Sequence, residues 1–139
     1  MTDEELLEKK LAFIETCLRE LESLANPSAI ESDIKERRFI EHTLQICVQA
    51  AQDVASHIVS DEKLGEPSTN LELFTLLARA RWLEEPLARS MRAAVGFRNV
   101  VVHGYTAVDP AILKDVVENH LGDITEFVLA VRARLFPKQ

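Results

Sequence analysis

The chain has 139 residues, of which 47% are apolar and only four are Gly and five Pro, and its formal net charge is −7. That length suits a single domain over residues 1–139, the apolar share is enough for a core, and so few chain breakers exclude a loop-rich or β-rich design. An acidic start (Asp3, Glu4, Glu5) and no apolar run of membrane length predict a cytoplasmic chain without membrane contact.

Three capping-box spacings, Thr2 with Glu5, Ser28 with Glu31 and Thr69 with Glu72, predict helix starts, because each pairs a side-chain acceptor with otherwise orphaned backbone N–H groups. Helix 1 carries Leu7, Leu11, Ile14, Leu18, Leu21 and Ala25 at alternating spacings of four and three, and stops before Asn26-Pro27. Helix 2 repeats the pattern with Ile40, Leu44, Cys47, Ala51, Val54 and Ile58. Cys17 and Cys47 lie on these apolar stripes and read as buried free thiols. The Lys35–Arg38 run has mixed signs and reads as a solvated face. The polar stripe of Gln45, Gln49, Gln52 and Ser56, with Asp53 and His57, either meets solvent or lines a cleft between subunits. Asp53 and His57 have a spacing that could hold a metal, but no third ligand accompanies them, so an ion pair or core-edge contact is expected.

After a loop over 60–68, helix 3 is expected from Asn70 to about Arg81, with Trp82 as a core anchor at its end. Pro86 opens helix 4, which the three consecutive valines Val100 to Val102 and the following Gly104 should weaken or end near Val100. Asp109-Pro110 marks the last start. Helix 5 then takes Leu113, Val117, His120, Ile124, Phe127 and Val131 as one seam, with His42 and His120 read as packing or surface residues. The sum is an all-α, four- to five-helix antiparallel bundle.

Charge is unevenly spread. Between Arg79 and His103 stand five arginines (Arg79, Arg81, Arg89, Arg92, Arg98) against Glu84 and Glu85, a surplus of three positive charges in an acidic chain. An anionic ligand would be drawn there. Within that stretch Arg98 and His103 form R-x4-H, extended by Tyr105 to R-x4-H-x-Y. RNA can be cut without metal when its own 2′-hydroxyl attacks the adjacent phosphorus. Such a reaction needs a base titrating near neutrality, which histidine is, and a fixed cation on the transition state, which arginine's planar fork supplies. Asn99 is placed to hold phosphate or orient the histidine. On a continuous helix, residues five apart stand about 140° apart around the axis, so either the helix unwinds at the valines or two chains build the site.

The string Phe97-Arg98-Asn99-Val100-Val101-Val102-His103-Gly104-Tyr105 closely resembles the motif of HepT toxins in the HEPN superfamily. The resemblance implies a HEPN-like homodimer whose two-fold axis brings two copies of the motif around one cleft. It implies an endoribonuclease with Arg98 and His103 catalytic, Asn99 supporting, and no metal or cofactor. It further implies a minimal nucleotidyltransferase antitoxin that neutralises the protein by AMP transfer to Tyr105, the added phosphate opposing Arg98 in the cleft. The alternative is a non-catalytic module that holds nucleotide or substrate for a separately encoded nucleotidyltransferase, with the segment serving as a phosphate clamp. No glycine-rich phosphate loop, nucleophile elbow or paired-cysteine metal motif points to another enzyme class.

Overall fold

A computed structural model of the chain describes residues 3–103 and 109–137, with the side chains of 100–103 excepted. Among the described residues there are six α-helices and no strand: α1 (Glu4–Leu24), α2 (Ile34–Asp61), α3 (Asn70–Arg79), α4 (Glu85–His103), α5 (Pro110–Asn119) and α6 (Leu121–Leu135). α1 packs on α2 and α6, α4 packs on α2, α3 and α6, and the seams meet in one apolar core. Phe74 and Phe127 meet edge to face near its centre, with ring centroids 5.8 Å apart. None of the described helices is long and apolar enough to cross a membrane.

The starts follow cap chemistry more than the box spacings. Asp3 caps α1, its carboxylate accepting from Leu6 N at 3.1 Å, whereas Thr2 lies outside the described residues. The Ser28–Glu31 box does not open α2. Pro27–Ala29 forms a 3-10 turn instead, and the Ser28 hydroxyl is turned back onto Asn26 Oδ1 at 2.7 Å. Asp33 caps α2, accepting from the N–H groups of Lys35 and Glu36 at 2.9 and 3.4 Å. A charged acceptor serving two orphan donors outcompetes a neutral hydroxyl that already has a partner. Thr69 does cap α3 as expected, although Glu72 turns its carboxylate to the Ser68 hydroxyl.

Two helices end in a way the sequence conceals. Leu64 N donates to Val59 O at 3.0 Å and Trp82 N to Leu77 O at 2.9 Å, each a six-residue closure around a left-handed residue. Those residues are Lys63 (φ 54°) and Arg81 (φ 64°), where glycine is usual. Helix 3 therefore stops at Arg79, and Trp82 tucks into the core with the Arg134 guanidinium 4.8 Å from its ring centroid.

Two expectations are corrected at the C-terminal half. α4 does not end near Val100 but runs unbroken to His103. The propensity penalty of a β-branched residue is only about 0.5 kcal/mol, too little to outweigh backbone hydrogen bonds already propagating. The single fifth helix is in fact two, α5 and α6, broken at His120 (φ −122°, ψ 0°). His120 is exposed, and Leu121 takes the inward place in the seam. An imidazole held between Asp115 and Asp123 is better solvated outside, and Leu121 replaces it at that one place while Ile124, Phe127 and Val131 stay in the seam as expected.

Elsewhere the polar residues divide. Cys17 and Cys47 are buried free thiols, and the neighbouring Cys17 thiol together with burial holds Cys47 protonated, far above the ordinary thiol range. The Lys35–Arg38 run is not a uniformly solvated face: Glu36 accepts from Asn26 N, and half-buried Arg37 pairs with buried Glu41. Asp53 accepts from Gln49 and pairs with Lys10 at 3.8 Å, as an ion pair should. His42 lies at the surface.

Candidate active site

The last two turns of α4 carry Arg98, Asn99 and His103 on one continuous helix. Helical geometry therefore leaves Arg98 and His103 about 140° apart around their own axis. The backbone of His103 is helical, its side chain lies outside the described residues, and so does all of Tyr105. Unwinding at the valines, the route to convergence within one chain, is absent.

Arg98 is half-buried, and its polar atoms are poorly served. Nη1 donates to Asn99 Oδ1 at 3.4 Å, a long bond between sequence neighbours, and Nε is buried with no hydrogen-bond partner among the described residues. A buried donor left unpaired costs about 1–3 kcal/mol, and such groups are rare enough in folded proteins to ask for a missing acceptor. A guanidinium cannot shed its charge to escape that cost. An anionic oxygen docking beside Arg98 would satisfy it.

α2, which packs on α4, carries a second such atom: Gln52 is 7% exposed and its Oε1 has no partner. Gln52 belongs to the polar stripe whose role was open, and its burial separates it from exposed Ser56. Its outward-looking composition hid it, since glutamine on a polar stripe reads as solvated.

The basic stretch is thinner than its composition. Arg92 is consumed structurally, donating from Nη1 to Thr75 Oγ1 at 3.2 Å and from Nη2 to Glu85 at 2.5 Å. Arg79, Arg81 and Arg89 are exposed and keep their charge available. They do not form one patch with Arg98, since Arg89 and Arg98, nine residues apart on α4, stand about 180° apart around its axis.

One interaction that sequence reasoning missed fixes the frame on which α4 rests. Arg132 of α6 donates to both Glu8 and Glu15 of α1, at 3.1 Å from Nε and 2.7 Å from Nη1. The guanidinium holds the Glu15 carboxyl below its ordinary value of 4.5. More than a hundred residues separate the partners, and no local pattern links them.

A helical bundle whose fourth helix ends in Arg98-Asn99-x3-His103 defines the class: an all-helical domain with the R-x4-H pair at the end of its fourth helix. The family model described as "Ribonuclease HepT-like" matches residues 14–131. The chain belongs to this HepT-like family. It is 30% identical to the mRNA nuclease HepT of Shewanella oneidensis over 93% of this chain and 98% of that protein. It is 34% identical to the tRNA nuclease HepT of Aphanizomenon flos-aquae over 76% of this chain and 73% of that one. Its fold matches the structure of the tri-AMPylated Shewanella oneidensis HEPN toxin in complex with MNT antitoxin, with a TM-score of 0.86 and 30% identity over 96% and 99% of the two chains.

Proposed function

We propose that the protein is a metal-independent endoribonuclease toxin of a HEPN/MNT pair, working as a homodimer. Two copies of α4 flank one cleft in this reading, so that Arg98 of one protomer and the partner's motif meet a single phosphodiester. The buried, unpartnered Nε of Arg98 is the observation that carries it. A donor kept dry without an acceptor is what a preorganised oxyanion or phosphate contact requires.

In the step proposed, His103 takes the proton of the ribose 2′-hydroxyl as that oxygen attacks the adjacent phosphorus. The P–O5′ bond breaks, O5′ leaves with a proton from the second imidazole of the cleft, and a 2′,3′-cyclic phosphate remains. Arg98 stabilises the charge that builds on the non-bridging oxygens, and Asn99 positions phosphate or imidazole. Tyr105 is the residue proposed to accept AMP from a cognate minimal nucleotidyltransferase. The tri-AMPylated state of the Shewanella HEPN toxin with its MNT antitoxin supports that role. Each AMP would bring negative phosphate and bulk beside Arg98, blocking RNA.

The test is cleavage of total RNA by purified protein with chelator present, comparing wild type with Arg98→Ala and His103→Ala. Cleavage that leaves 2′,3′-cyclic ends and fails in both variants is expected. Binding of RNA without cleavage would favour the non-catalytic module.

A further inference from the structure

A cavity of about 420 Å³ opens between α2, α4, α5 and α6. Its walls are apolar, with Val48, Ala94, Phe97, Val116 and Ile124 contributing, and a few charged groups converge at its rim. Those are Arg89 on the α4 side, and Asp115, His120 and Asp123 at the α5–α6 break. A roomy apolar cavity with few, placed polar groups is the ordinary form of a small-ligand site.

The rim is organised. His120 sits between the two carboxylates, with Nε2 3.1 Å from Asp115 Oδ2 and Nδ1 3.5 Å from Asp123 Oδ2. Asp115 Oδ1 is taken by the Asn119 amide at 2.7 Å. Asp123 lines the cavity and is half-buried, and its other oxygen has no partner among the described residues, which leaves an acceptor open at the rim. Arg89 is exposed and likewise makes no ion pair among the described residues. The break at His120 lies between the two carboxylates and joins them at this mouth.

Three features narrow the occupant. It needs a flat or compact apolar body to meet Phe97 and the aliphatic walls, an N–H donor at its edge for Asp123, and an anionic group for Arg89. A purely aliphatic ligand would leave both charged groups unused. A nucleotide supplies all three, because aromatic rings stack bases in a sequence-tolerant way while edge groups discriminate among them. Continuity with the proposed site points the same way. Phe97 lines the cavity and directly precedes Arg98 on α4, about 100° away around the axis, so the cavity lies on the helix face adjoining the one that carries the guanidinium.

We propose that this cavity is a nucleobase subsite that selects bases bearing an exocyclic amino group, Asp123 accepting from the amino group and Arg89 meeting the nucleotide's phosphate. It deepens the ribonuclease reading by assigning base preference to a site separate from the R-x4-H motif. Its measurement needs no cleavage, so the two can fail independently.

The probes are 5′-mononucleotides in pairs that differ by an amino or an oxo group, AMP against IMP and CMP against UMP, titrated into 15N-labelled protein. AMP and CMP should move the amides of Ala94, Phe97 and Val116 and bind about tenfold tighter than their oxo counterparts, as expected for a bond to a charged acceptor. Asp123→Asn should erase that preference, and Arg89→Ala should weaken all four nucleotides alike. Ala94→Phe, which fills the cavity, should abolish binding while leaving the molar mass by light scattering unchanged. Absent shifts at the cavity, or a preference that survives Asp123→Asn, would overturn the proposal. So would a molar mass that changes in Ala94→Phe, since the cavity would then belong to a contact between copies. If nucleotides bind as stated and the protein cuts no RNA, the subsite stands and the nuclease reading falls.

Discussion

Arg98 reaches its own neighbour Asn99 at 3.4 Å with one nitrogen and leaves another, Nε, buried without an acceptor among the described residues. A side chain held this way contributes little to folding and is suited to an incoming anion. Arg98→Met should therefore leave stability to denaturant within about 1 kcal/mol of wild type, or raise it, because the orphaned donor disappears. The same change should lower RNA cleavage by about a hundredfold or more, as for loss of a preorganised charge contact. Arg98→Lys should recover little, since an ammonium lacks the fork. A variant that unfolds instead would mark Arg98 as a structural residue.

The contact between Arg132 and the two glutamates of α1 predicts a pH-dependent effect. Arg132→Gln should cost about 1 kcal/mol at neutral pH, discounted because the partners are partly exposed and solvent screens them. The Glu15 carboxyl is depressed by the Arg132 hydrogen bond, so its contribution is present above the ordinary value of 4.5 and fades as pH falls through the lower folded value. Urea midpoints of wild type and variant should draw together as pH falls below 4.5 and through the lowered folded value of Glu15. Parallel curves down to that range would refute the assignment.

Lys63 and Arg81 occupy left-handed positions that cost a side-chain-bearing residue about 1 kcal/mol. Lys63→Gly should raise the stability of the chain by roughly 0.5 kcal/mol, the relief of strain exceeding the added freedom of the unfolded state. A loss of stability in thermal melts would mean that the Lys63 side chain makes a contact worth more than the strain.

The α5–α6 break separates two adjacent residues, turning His120 out and Leu121 in. Leu121→Ala should cost about 2–3 kcal/mol, because Leu121 is buried. His120→Ala, at an exposed position, should stay within about 0.5 kcal/mol. Equal losses would favour an uninterrupted helix with His120 facing inward.

The seams of α1 and α2 were legible residue by residue, from Leu7 to Leu21 and Ile40 to Ile58, because a core stripe repeats every turn and needs only local spacing to be recognised. The Thr69 and Asp109 caps were legible for the same reason: donor and acceptor lie within three residues of one another. The Phe97–Tyr105 string was legible as a motif, and with it the family.

What the tertiary structure decided were contests between local signals and distant partners. Propensity argued for an end at Val100, yet backbone hydrogen bonding carries α4 to His103. Spacing placed His120 in the seam, yet its two carboxylates draw it out and seat Leu121 there. Arg132 with Glu15, the buried amide of Gln52 and the dry guanidinium of Arg98 depend on residues brought together by packing. Sequence spacing encodes which side of a helix a residue occupies, and only the arrangement of helices fixes what lies opposite.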